Sequence, residues 1–270
     1  LMRLVWLNAW GGAVWPALGD WIASLAPDVL FLQEVIRAPV PSPEWLIYAD
    51  AYRRLDQRAD LFADVSARLP GHQAFFAPAA RGPLVNEDGC VFTSEHGLGA
   101  WMARGIAVSE YTTRFVHGRY RPDGWGPEPV PRTMQLMRLA GEGLGPGLVA
   151  AQLHGLRDPG GKRDSPARMQ QAEAMASAIS DIAGPDEPLV LGGDFNLLPD
   201  SETFTRLEAL GLRDLVTGSG IEYTRTTLYT KEQRHANYLL VRETVAISAF
   251  SVPAEPVVSD HRPLILDLAG

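Results

Sequence analysis

Four short apolar runs in this chain each end in a small polar cluster, and no other feature of the sequence constrains the fold as much. A short apolar run bounded by turn residues is typical of a buried β-strand. A fifth cluster comes just before the apolar run Pro263-Leu264-Ile265-Leu266. Polar residues at strand ends collect along one edge of a sheet, where ligands usually bind. In chain order the clusters are Asn8, Gln33-Glu34, His154, Asp194-Phe195-Asn196 and Ser259-Asp260-His261.

The side chains of these clusters suit one kind of chemistry. They are mostly carboxylates, amides and imidazoles, which hold hard divalent cations and contact the oxygens of phosphate esters. Singly the clusters are weak evidence, because Asp194-Phe195-Asn196 after two glycines is also a plain turn and a lone histidine is more often structural. Their order and spacing together predict a metal-dependent phosphoesterase that acts on a phosphorylated substrate.

The composition is that of a globular protein with a sizeable core. Hydrophobic residues make up 46% of the 270 residues and charged residues 21%, both ordinary values. No apolar run approaches the roughly eighteen residues of a membrane span, and no signal-peptide pattern is visible. Cys90, the only cysteine, excludes an internal disulfide and fits a reducing cytosol. We predict a cytoplasmic protein with no membrane association and no evident obligate protein partner.

The charge balance bears on the substrate. The formal net charge is −8, and almost all of the positive charge is arginine. Binding to a nucleic-acid backbone normally requires a basic face, so the acidic balance weighs against duplex DNA, although a local arginine patch would escape this argument. Nucleic acid, small phosphorylated metabolites or sugars, and lipid head groups all stay open as substrates. A small phosphoester or nucleotide is slightly favoured over duplex DNA.

Periodicity predicts four helices among many strands. The helices are expected near 15–25, 61–69, 166–179 and 201–210, the third beginning after Ser165 with Met169, Ala172, Met175 or Ala176, and Ile179 on its buried face. Hairpin-linked strands with interspersed helices indicate two packed sheets flanked by helices. No linker separates two patterned halves, so residues 1–270 are predicted to form a single domain. Strands are expected at 4–7, 29–33, 90–93, 100–103, 105–109, 111–116, 133–139, 147–153, 189–191, 222–229, 236–241, 245–252 and 263–268.

The five clusters, taken in order, resemble the endonuclease/exonuclease/phosphatase superfamily, whose members have a fold like that of pancreatic deoxyribonuclease. The resemblance covers nearly the whole chain, from the first predicted strand to the last. It implies a four-layer α-β-β-α sandwich of two packed, mainly antiparallel sheets flanked by helices. It also implies a catalytic site at one edge of the paired sheets.

The resemblance implies a cation site. Glu34 would be the principal ligand of Mg²⁺ or Mn²⁺, and Asn8 and Asp260 would bind the ion directly or through a neighbour. Some members of the family hold a second cation at the residues that match Asp194 and Asn196. The carboxylate and amide oxygens suit a small hard cation that keeps several waters. A buried ion pair is the structural alternative for Glu34.

The resemblance also implies the roles of the reacting groups. Asp194 would orient and deprotonate the attacking water, and Asn196 would donate its amide hydrogens to a phosphate oxygen. His154 and His261 would contact the non-bridging oxygens, as donors that strengthen while charge develops there.

Position 237 departs from the family pattern. The segment that contains Asn237 and Tyr238 aligns with the family's Asp-Tyr strand motif, so asparagine replaces an aspartate that holds the histidine of the final motif in relatives. Asn237 can still accept a hydrogen bond from His261, but without a negative charge the pKa of His261 should be lower. Two hypotheses follow: a pH optimum shifted toward acid, or a neutral His261 that acts only as a hydrogen-bond donor.

Three further interpretations stay open. Arg168, which with Gln171 matches an Arg-x-x-Gln pattern of many relatives, would hold the loop 155–165, reach phosphate, or form a surface salt bridge. The loop 118–132, which carries Trp125, and the stretch 223–234 would either flank the cleft or simply pack. Finally, replacement of the aspartate by Asn237 leaves a second functional class, a non-catalytic or weakly active binding protein that keeps the fold.

Overall fold

The computed structural model describes residues 2–49, 54–126, 130–142, 144 and 147–269. This part of the chain forms fourteen strands, five α-helices and a short 3₁₀ turn at Trp10–Gly12. The helices are α1 Ala17–Leu25, α2 Leu61–Arg68, α3 Pro166–Ile182, α4 Glu202–Glu208 and α5 Leu215–Gly218. The strands are β1 Met2–Asn8, β2 Val29–Arg37, β3 Trp45–Ala49, β4 Arg54–Arg58, β5 His72–Val85, β6 Val91–Ala103, β7 Ala107–His117, β8 Arg132–Ala140, β9 Leu148–His154, β10 Leu189–Asp194, β11 Arg213–Asp214, β12 Asn237–Val241, β13 Ile247–Ser251 and β14 Leu264–Leu268.

The strands form two sheets. One has eight strands in the order β13-β14-β1-β2-β6-β5-β3-β4, and the other has six in the order β11-β12-β10-β9-β8-β7. Near the middle of each sheet one pair is parallel, β1 with β2 and β9 with β10, while the other pairs are antiparallel. Parallel strands run toward the same edge of their sheet, so Asn8 of β1 lies beside Gln33 of β2, and His154 of β9 lies beside Asp194 of β10.

The two sheets pack face to face with helices outside them. The core between the sheets is apolar and includes Trp6, Phe31, Met134 and Leu153. Helices α1 and α2 cover the outer face of the eight-stranded sheet with Leu18, Ile22, Leu61 and Val65, whereas α3 and α4 lie on the six-stranded sheet. The predicted four-layer α-β-β-α sandwich is confirmed.

A row of buried amides also joins the sheets. Gln33 Nε2 of β2 donates to Gln152 Oε1 of β9 at 2.8 Å, and Gln152 Nε2 donates to Gln135 Oε1 of β8 at 2.6 Å. Gln152 Nε2 also lies 2.8 Å from Gly99 O of β6. The three glutamine side chains are fully buried, so hydrogen bonds to one another and to neighbouring protein groups replace those that water would make.

Several predicted elements differ from the observed ones. The runs 90–93 and 100–103 belong to one long strand, β6, and 105–109 and 111–116 both belong to β7. The stretch 222–229 is not a strand, and its only ladder contact within the described residues is an isolated bridge between Arg225 and His261. Strands β3, β4 and β5 were not predicted. Charged residues interrupt β4, and proline and glycine interrupt β5, whereas β3 is a continuous apolar run that the prediction missed.

The buried face of α3 agrees with the prediction in part. Ala172, Met175 and Ile179 are buried as predicted, but Met169 is only partly buried, and Arg168 and Gln171 are buried as well. Apolar periodicity does not identify the long polar side chains of Arg168 and Gln171 as buried. None of the helices in the described residues is long and apolar enough to cross a membrane.

Candidate active site

The polar strand ends line a cavity of about 490 Å³ at one edge of the paired sheets. Side chains from both sheets reach it: Glu34 from the eight-stranded sheet, and His154 and Asp194 from the six-stranded sheet. Its lining also includes Asn196, Asp260 and His261, whereas Asn8 and Asn237 are buried directly behind those residues. The structure therefore brings all eight predicted site residues together.

Asn8 connects the two sheets through their carboxylates. Its side-chain nitrogen donates to Glu34 Oε1 at 3.1 Å and to Asp194 Oδ2 at 3.0 Å. Its side-chain oxygen accepts from the backbone N–H of Trp10 at 3.0 Å. Asn8 therefore orients both carboxylates, and its oxygen is turned away from them.

A β-bulge aims Glu34 into the cavity. The pairing of β2 with β6 shifts register between Leu32 and Val35, and Glu34 has a φ of 55°. A left-handed conformation is unfavourable for a glutamate and is kept only where the surrounding structure imposes it. The bulge turns the side chain out of the ordinary strand alternation and toward Asn8 and His154.

The turn after β10 is built around Asp194. Gly193 has a φ of 140°, and a Cβ at that position would lie 2.2 Å from Leu153 O, so only glycine fits there. Asp194 Oδ1 accepts from the backbone N–H of Asn196 at 3.0 Å, and Asn196 Nδ2 lies 3.3 Å from Gly155 O. Burial raises the pKa of Asp194, and neighbouring Arg225 and the Asn8 hydrogen bond only partly oppose that effect.

Arg132 fixes the tautomer of His154. A guanidinium nitrogen of Arg132 lies 3.1 Å from His154 Nδ1, and because a guanidinium only donates, Nδ1 must accept. The hydrogen of the neutral ring is then on Nε2, which lies 3.8 Å from Glu34 Oε1 and 3.7 Å from Asp194 Oδ2. Burial, followed by the charge of Arg132, holds the pKa of His154 well below its usual value.

Asn237 fixes His261 in the opposite tautomer. Asn237 Nδ2 donates to Arg262 O at 2.9 Å and to Thr224 O at 3.3 Å, so its oxygen must face His261 Nδ1, at 2.6 Å. His261 Nδ1 is therefore the donor, and Nε2 lies 3.4 Å from Asp194 Oδ2. A neutral His261 has no N–H left for a phosphate oxygen, which contradicts the hypothesis of a neutral donor.

The pKa of His261 is lowered, as predicted, but the largest cause is different. Burial has the largest effect, and the positive charge of Arg225 comes next. The sequence-based prediction attributed the lowered pKa of His261 only to the absence of a negative charge at position 237.

Arg225 is a site residue that was not predicted individually, although it lies in the stretch 223–234, for which flanking the cleft was one of the open interpretations. Its guanidinium lies 2.6 Å from Asp260 Oδ2, and both side chains are almost completely buried. The guanidinium also stacks on Tyr229, 4.2 Å from the ring centroid. Burial raises the pKa of Asp260 to about 7, although Arg225 opposes this rise. The bridge between Arg225 and His261 places Arg225 here, and such a bridge has no signature in a single sequence.

The residues fit a cation, although no three His, Cys, Asp or Glu side chains of the described residues are grouped as a metal cage. Asp260 Oδ1 is buried and has no hydrogen-bond partner. The charge of Glu34 raises the pKa of both Asp194 and Asp260, so the carboxylates repel one another. A hard cation that keeps several waters needs only one or two protein carboxylates, and would relieve that repulsion.

The cavity is richer in positive charge than the whole chain. Lys162 Nζ donates to Gln233 O at 2.9 Å and to His235 O at 2.5 Å, so it joins the loops before α3 and before β12. Burial, aided by Arg225, lowers the pKa of Lys162 to about 8. No basic stretch of the sequence predicted this cluster of cationic side chains, because they come from distant segments of the chain. The cationic residues that line the cavity are Arg54, Arg132, Arg157, Lys162, Arg168, Arg225 and Lys231.

Arg168 holds the loop before α3, which settles one of the open alternatives. Its guanidinium donates to Arg163 O at 2.6 Å, Asn196 O at 3.0 Å and Leu156 O at 3.3 Å. Gln171 assists, since its side-chain oxygen accepts from Leu156 N at 2.7 Å. The predicted surface salt bridge is excluded, because the Arg168 side chain is fully buried.

Comparison with known proteins agrees with this architecture. A sequence profile described as the Endonuclease/Exonuclease/phosphatase family matches residues 5–261. No curated protein sequence matches the chain.

Solved structures with the same fold are distant in sequence. A mannosyl-6-phosphatase from Bacteroides thetaiotaomicron is 14% identical, with a TM-score of 0.70 and 100% of both chains covered. An endonuclease/exonuclease/phosphatase from Beutenbergia cavernae is 19% identical, with a TM-score of 0.70 over 99% of this chain and 71% of the other. The human Nocturnin catalytic domain with bound sulfate is 18% identical, with a TM-score of 0.64 over 99% and 93%. At these identities the similarity shows the fold.

Proposed function

The chain belongs to the endonuclease/exonuclease/phosphatase family, and from that premise we propose that it hydrolyses phosphate esters with the help of Mg²⁺ or Mn²⁺. Members of this family are generally phosphoester hydrolases. One observation carries the proposal: Glu34 and Asp194, which come from different sheets, both accept hydrogen bonds from the side-chain nitrogen of Asn8.

Glu34, Asp194 and Asp260 are the residues that would hold the cation. Their carboxylates belong to one cavity, and Asp260 Oδ1 has no hydrogen-bond donor among the described residues. When bound, the cation would neutralise phosphate charge and make a coordinated water more acidic. Asn196 lies beside Asp194 and would assist there.

Asp194 is the group we assign to remove the proton from the attacking water. Its raised pKa makes it a better proton acceptor than an ordinary aspartate. Nε2 of His261, 3.4 Å from Asp194 Oδ2, can take that proton onward. The imidazolium formed would donate to a non-bridging phosphate oxygen, with Asn237 holding the ring through Nδ1.

His154 and Arg225 supply further donors for the phosphate. In His154 the Arg132 contact leaves the N–H on the nitrogen nearest Glu34 and Asp194. The guanidinium of Arg225 has several N–H donors and no acceptor. Hydrogen bonds from such fixed donors strengthen as charge develops on the phosphate oxygens, which lowers the barrier.

The cavity favours a small phosphoester over duplex DNA. Its volume of about 490 Å³ lies in the range of small-molecule sites. One relative of the same fold is described as a mannosyl-6-phosphatase, which agrees with a small phosphorylated substrate. We also propose that the protein acts in the cytoplasm, which its single cysteine permits.

No observation favours the alternative of a non-catalytic binding protein. That alternative rested on Asn237, yet the Asn237 amide holds His261 at 2.6 Å as a carboxylate would. The side chains that would activate water and contact phosphate are all present in the cavity.

The test is hydrolysis of bis-p-nitrophenyl phosphate in the presence of Mg²⁺ or Mn²⁺. Asp194→Ala should lower kcat by about 10²- to 10⁴-fold, because it removes the proton acceptor. Asp200→Ala is the matched control, since Asp200 is exposed in the segment that follows β10, and it should leave kcat unchanged. Equal rates for Asp194→Ala and the wild type would refute the assignment. A folded wild type inert toward nucleotides, sugar phosphates, abasic DNA and phospholipids would refute the function.

A further inference from the structure

One side of the cavity is apolar and aromatic, unlike the charged side where the strand ends meet. Ile36, Tyr48, Leu84 and Trp125 belong both to the cavity lining and to a small separate hydrophobic cluster of the eight-stranded sheet. We refer to these four residues as the apolar wall. Phosphate and metal chemistry alone would not require it.

Trp125 of the apolar wall is held in place by hydrogen bonds that its segment makes with β5. The segment between β7 and β8, which joins strands of the six-stranded sheet, crosses to residues 81–83 of β5 in the other sheet. There Arg81 N donates to Arg121 O at 2.7 Å, and Gly124 N donates to Arg81 O at 2.8 Å. The Trp125 indole N–H donates to Pro83 O at 2.9 Å. Residues 127–129, which follow in the same predicted loop, lie outside the described part of the chain.

Gly82 lets Trp125 lie against β5. A Cβ at position 82 would lie 2.7 Å from the indole Cε2 and 3.1 Å from Gly124 Cα. These distances are shorter than normal van der Waals contact, so any side chain at Gly82 would push the indole away from its present position. The position of the indole therefore depends on a residue that does not line the cavity.

The apolar wall is one aromatic ring away from the reacting groups. The ring of His96 lies 6.4 Å from that of Trp125 and 6.3 Å from that of His154, between centroids. A ligand phosphate at His154 would thus place the group attached to it beside His96 and Trp125. The cations Arg157, Lys162, Arg225 and Lys231 come instead from loops of the six-stranded sheet.

We propose that the apolar wall binds an aromatic ring carried by the phosphate ester, so that the preferred substrate is a small aryl or nucleobase-bearing phosphate. This inference rests on the proposed function and narrows its substrate class. The ring would stack on Trp125 and pack against Leu84 and Ile36, while the phosphate lies among His154, Asp194 and Arg225. Aromatic stacking together with apolar burial supplies the selectivity.

The test compares two phosphonates that the enzyme cannot hydrolyse. Binding of phenylphosphonate and methylphosphonate is measured by titration calorimetry with Mn²⁺ present. Phosphonates are used because hydrolysis rates of the corresponding phosphate esters would reflect the leaving group as well as the size of the attached group. The wild type should bind phenylphosphonate at least about tenfold more tightly, as expected for burial of one ring. Trp125→Ala should remove most of that preference without changing methylphosphonate affinity.

Three further variants keep the result interpretable. Gly82→Ala, which displaces the indole without removing it, should also reduce the preference for the phenyl compound. Trp125→Phe should retain most of it, since an aromatic ring remains. Tyr120→Ala is the matched control: Tyr120 is an exposed aromatic residue of the same segment that does not line this cavity, and its loss should change neither affinity.

The outcomes separate the two proposals. If the wild type hydrolyses phosphate esters but binds both phosphonates equally well, the aromatic subsite is wrong and the proposed function stands. Equal weakening of both phosphonates in Trp125→Ala would also refute the subsite, because it would indicate a general packing defect. If neither phosphonate binds and no phosphate ester is hydrolysed, the proposed function is wrong and the subsite fails with it.

Discussion

Every polar group of the Asn237 side chain has a hydrogen-bond partner. The nitrogen donates to the backbone oxygens of Thr224 and Arg262, and the oxygen accepts from His261. An aspartate at this position would meet two carbonyl oxygens with an acceptor instead of a donor. The hydrogen-bonding groups around position 237 therefore match an amide, which can donate to the two carbonyl oxygens and accept from His261.

Asn237→Asp should have two separable effects. The two carbonyl oxygens lose their donor, so the free energy of unfolding should fall by about 1–3 kcal/mol, as measured by urea denaturation. The new negative charge favours imidazolium, so the pKa of His261 should rise and the pH–rate profile should move to higher pH than in the wild type. Identical profiles would contradict the link between position 237 and His261.

Asn86→Asp is the control for this substitution. Asn86 is in the turn between β5 and β6, and its side-chain oxygen accepts from Cys90 N at 2.8 Å, which a carboxylate can also do. This variant should leave the pH–rate profile unchanged.

At the residue scale, the sequence indicated the short side chains of the site but not the long ones. Glu34, His154 and Asp194 were predictable because each follows an apolar run; His154 and Asp194 end their strands, whereas Glu34 lies at the bulge within β2, which continues to Arg37. Arg132 and Arg225 were not, because a guanidinium is several bonds from its Cα and its partners are set by tertiary packing. Their contacts with His154 and Asp260 depend on side-chain reach, which strand periodicity does not encode.

The helix α3 and the loop before it form a unit through Arg168. Arg168→Ala would leave three backbone oxygens without their donor and a gap where the side chain was. We expect the free energy of unfolding to fall by about 3 kcal/mol, measured by urea denaturation. Arg168→Lys should recover only part of this loss, because an ammonium group lacks the forked geometry that reaches separate oxygens.

Arg206→Ala is the matched control. Arg206 pairs with Glu173 between α4 and α3, and both side chains are more than half exposed, so this substitution should cost less than about 1 kcal/mol. Similar losses for Arg168→Ala and Arg206→Ala would contradict the role given to Arg168.

At the element scale, the prediction succeeded where apolar periodicity was strong and failed where long strands are irregular. The third predicted helix began at the correct residue, since Ser165 caps it and Pro166 is its first residue. Strand β5 was missed because Pro78, Gly82 and Pro83 interrupt its pattern. It is nevertheless a strand, because its pairing with β6 supplies backbone hydrogen bonds that no single segment specifies.

For the whole molecule, cation binding should depend on pH through Asp260. Its pKa of about 7 lies above the unfolded value of 3.8, so the folded metal-free protein binds this proton more tightly than the unfolded chain does. Protonation of Asp260 therefore stabilises the fold at low pH, and this contribution is lost as the pH rises from about 4 to about 7. The lowered pKa values of His154 and His261 act oppositely, since their contributions are lost as the pH falls below about 6.5. A cation must displace the Asp260 proton at low pH.

Mn²⁺ at a fixed saturating concentration should therefore raise Tm more at pH 8 than at pH 6. A tenfold difference in affinity corresponds to about 1.4 kcal/mol, or roughly 2–4 °C for a chain of this size. Differential scanning calorimetry measures both shifts. Asp260→Asn should remove most of the difference, and an equal shift at both pH values in the wild type would contradict the role of Asp260.

The same scans test the domain organisation. We propose that the chain is a single domain, because the core between the sheets draws residues from elements along the whole described chain. Both the metal-free and the Mn²⁺-bound protein should then unfold in one cooperative transition. Two resolved transitions would indicate two units.

The row of glutamines between the sheets has a consequence for catalysis. Apolar faces tolerate small sliding movements, whereas the hydrogen bonds among the amides of Gln33, Gln152 and Gln135 depend on both distance and direction. Glu34 directly follows Gln33, and His154 stands two residues after Gln152. The row of amides therefore helps to fix the distance between Glu34 in one sheet and His154 in the other.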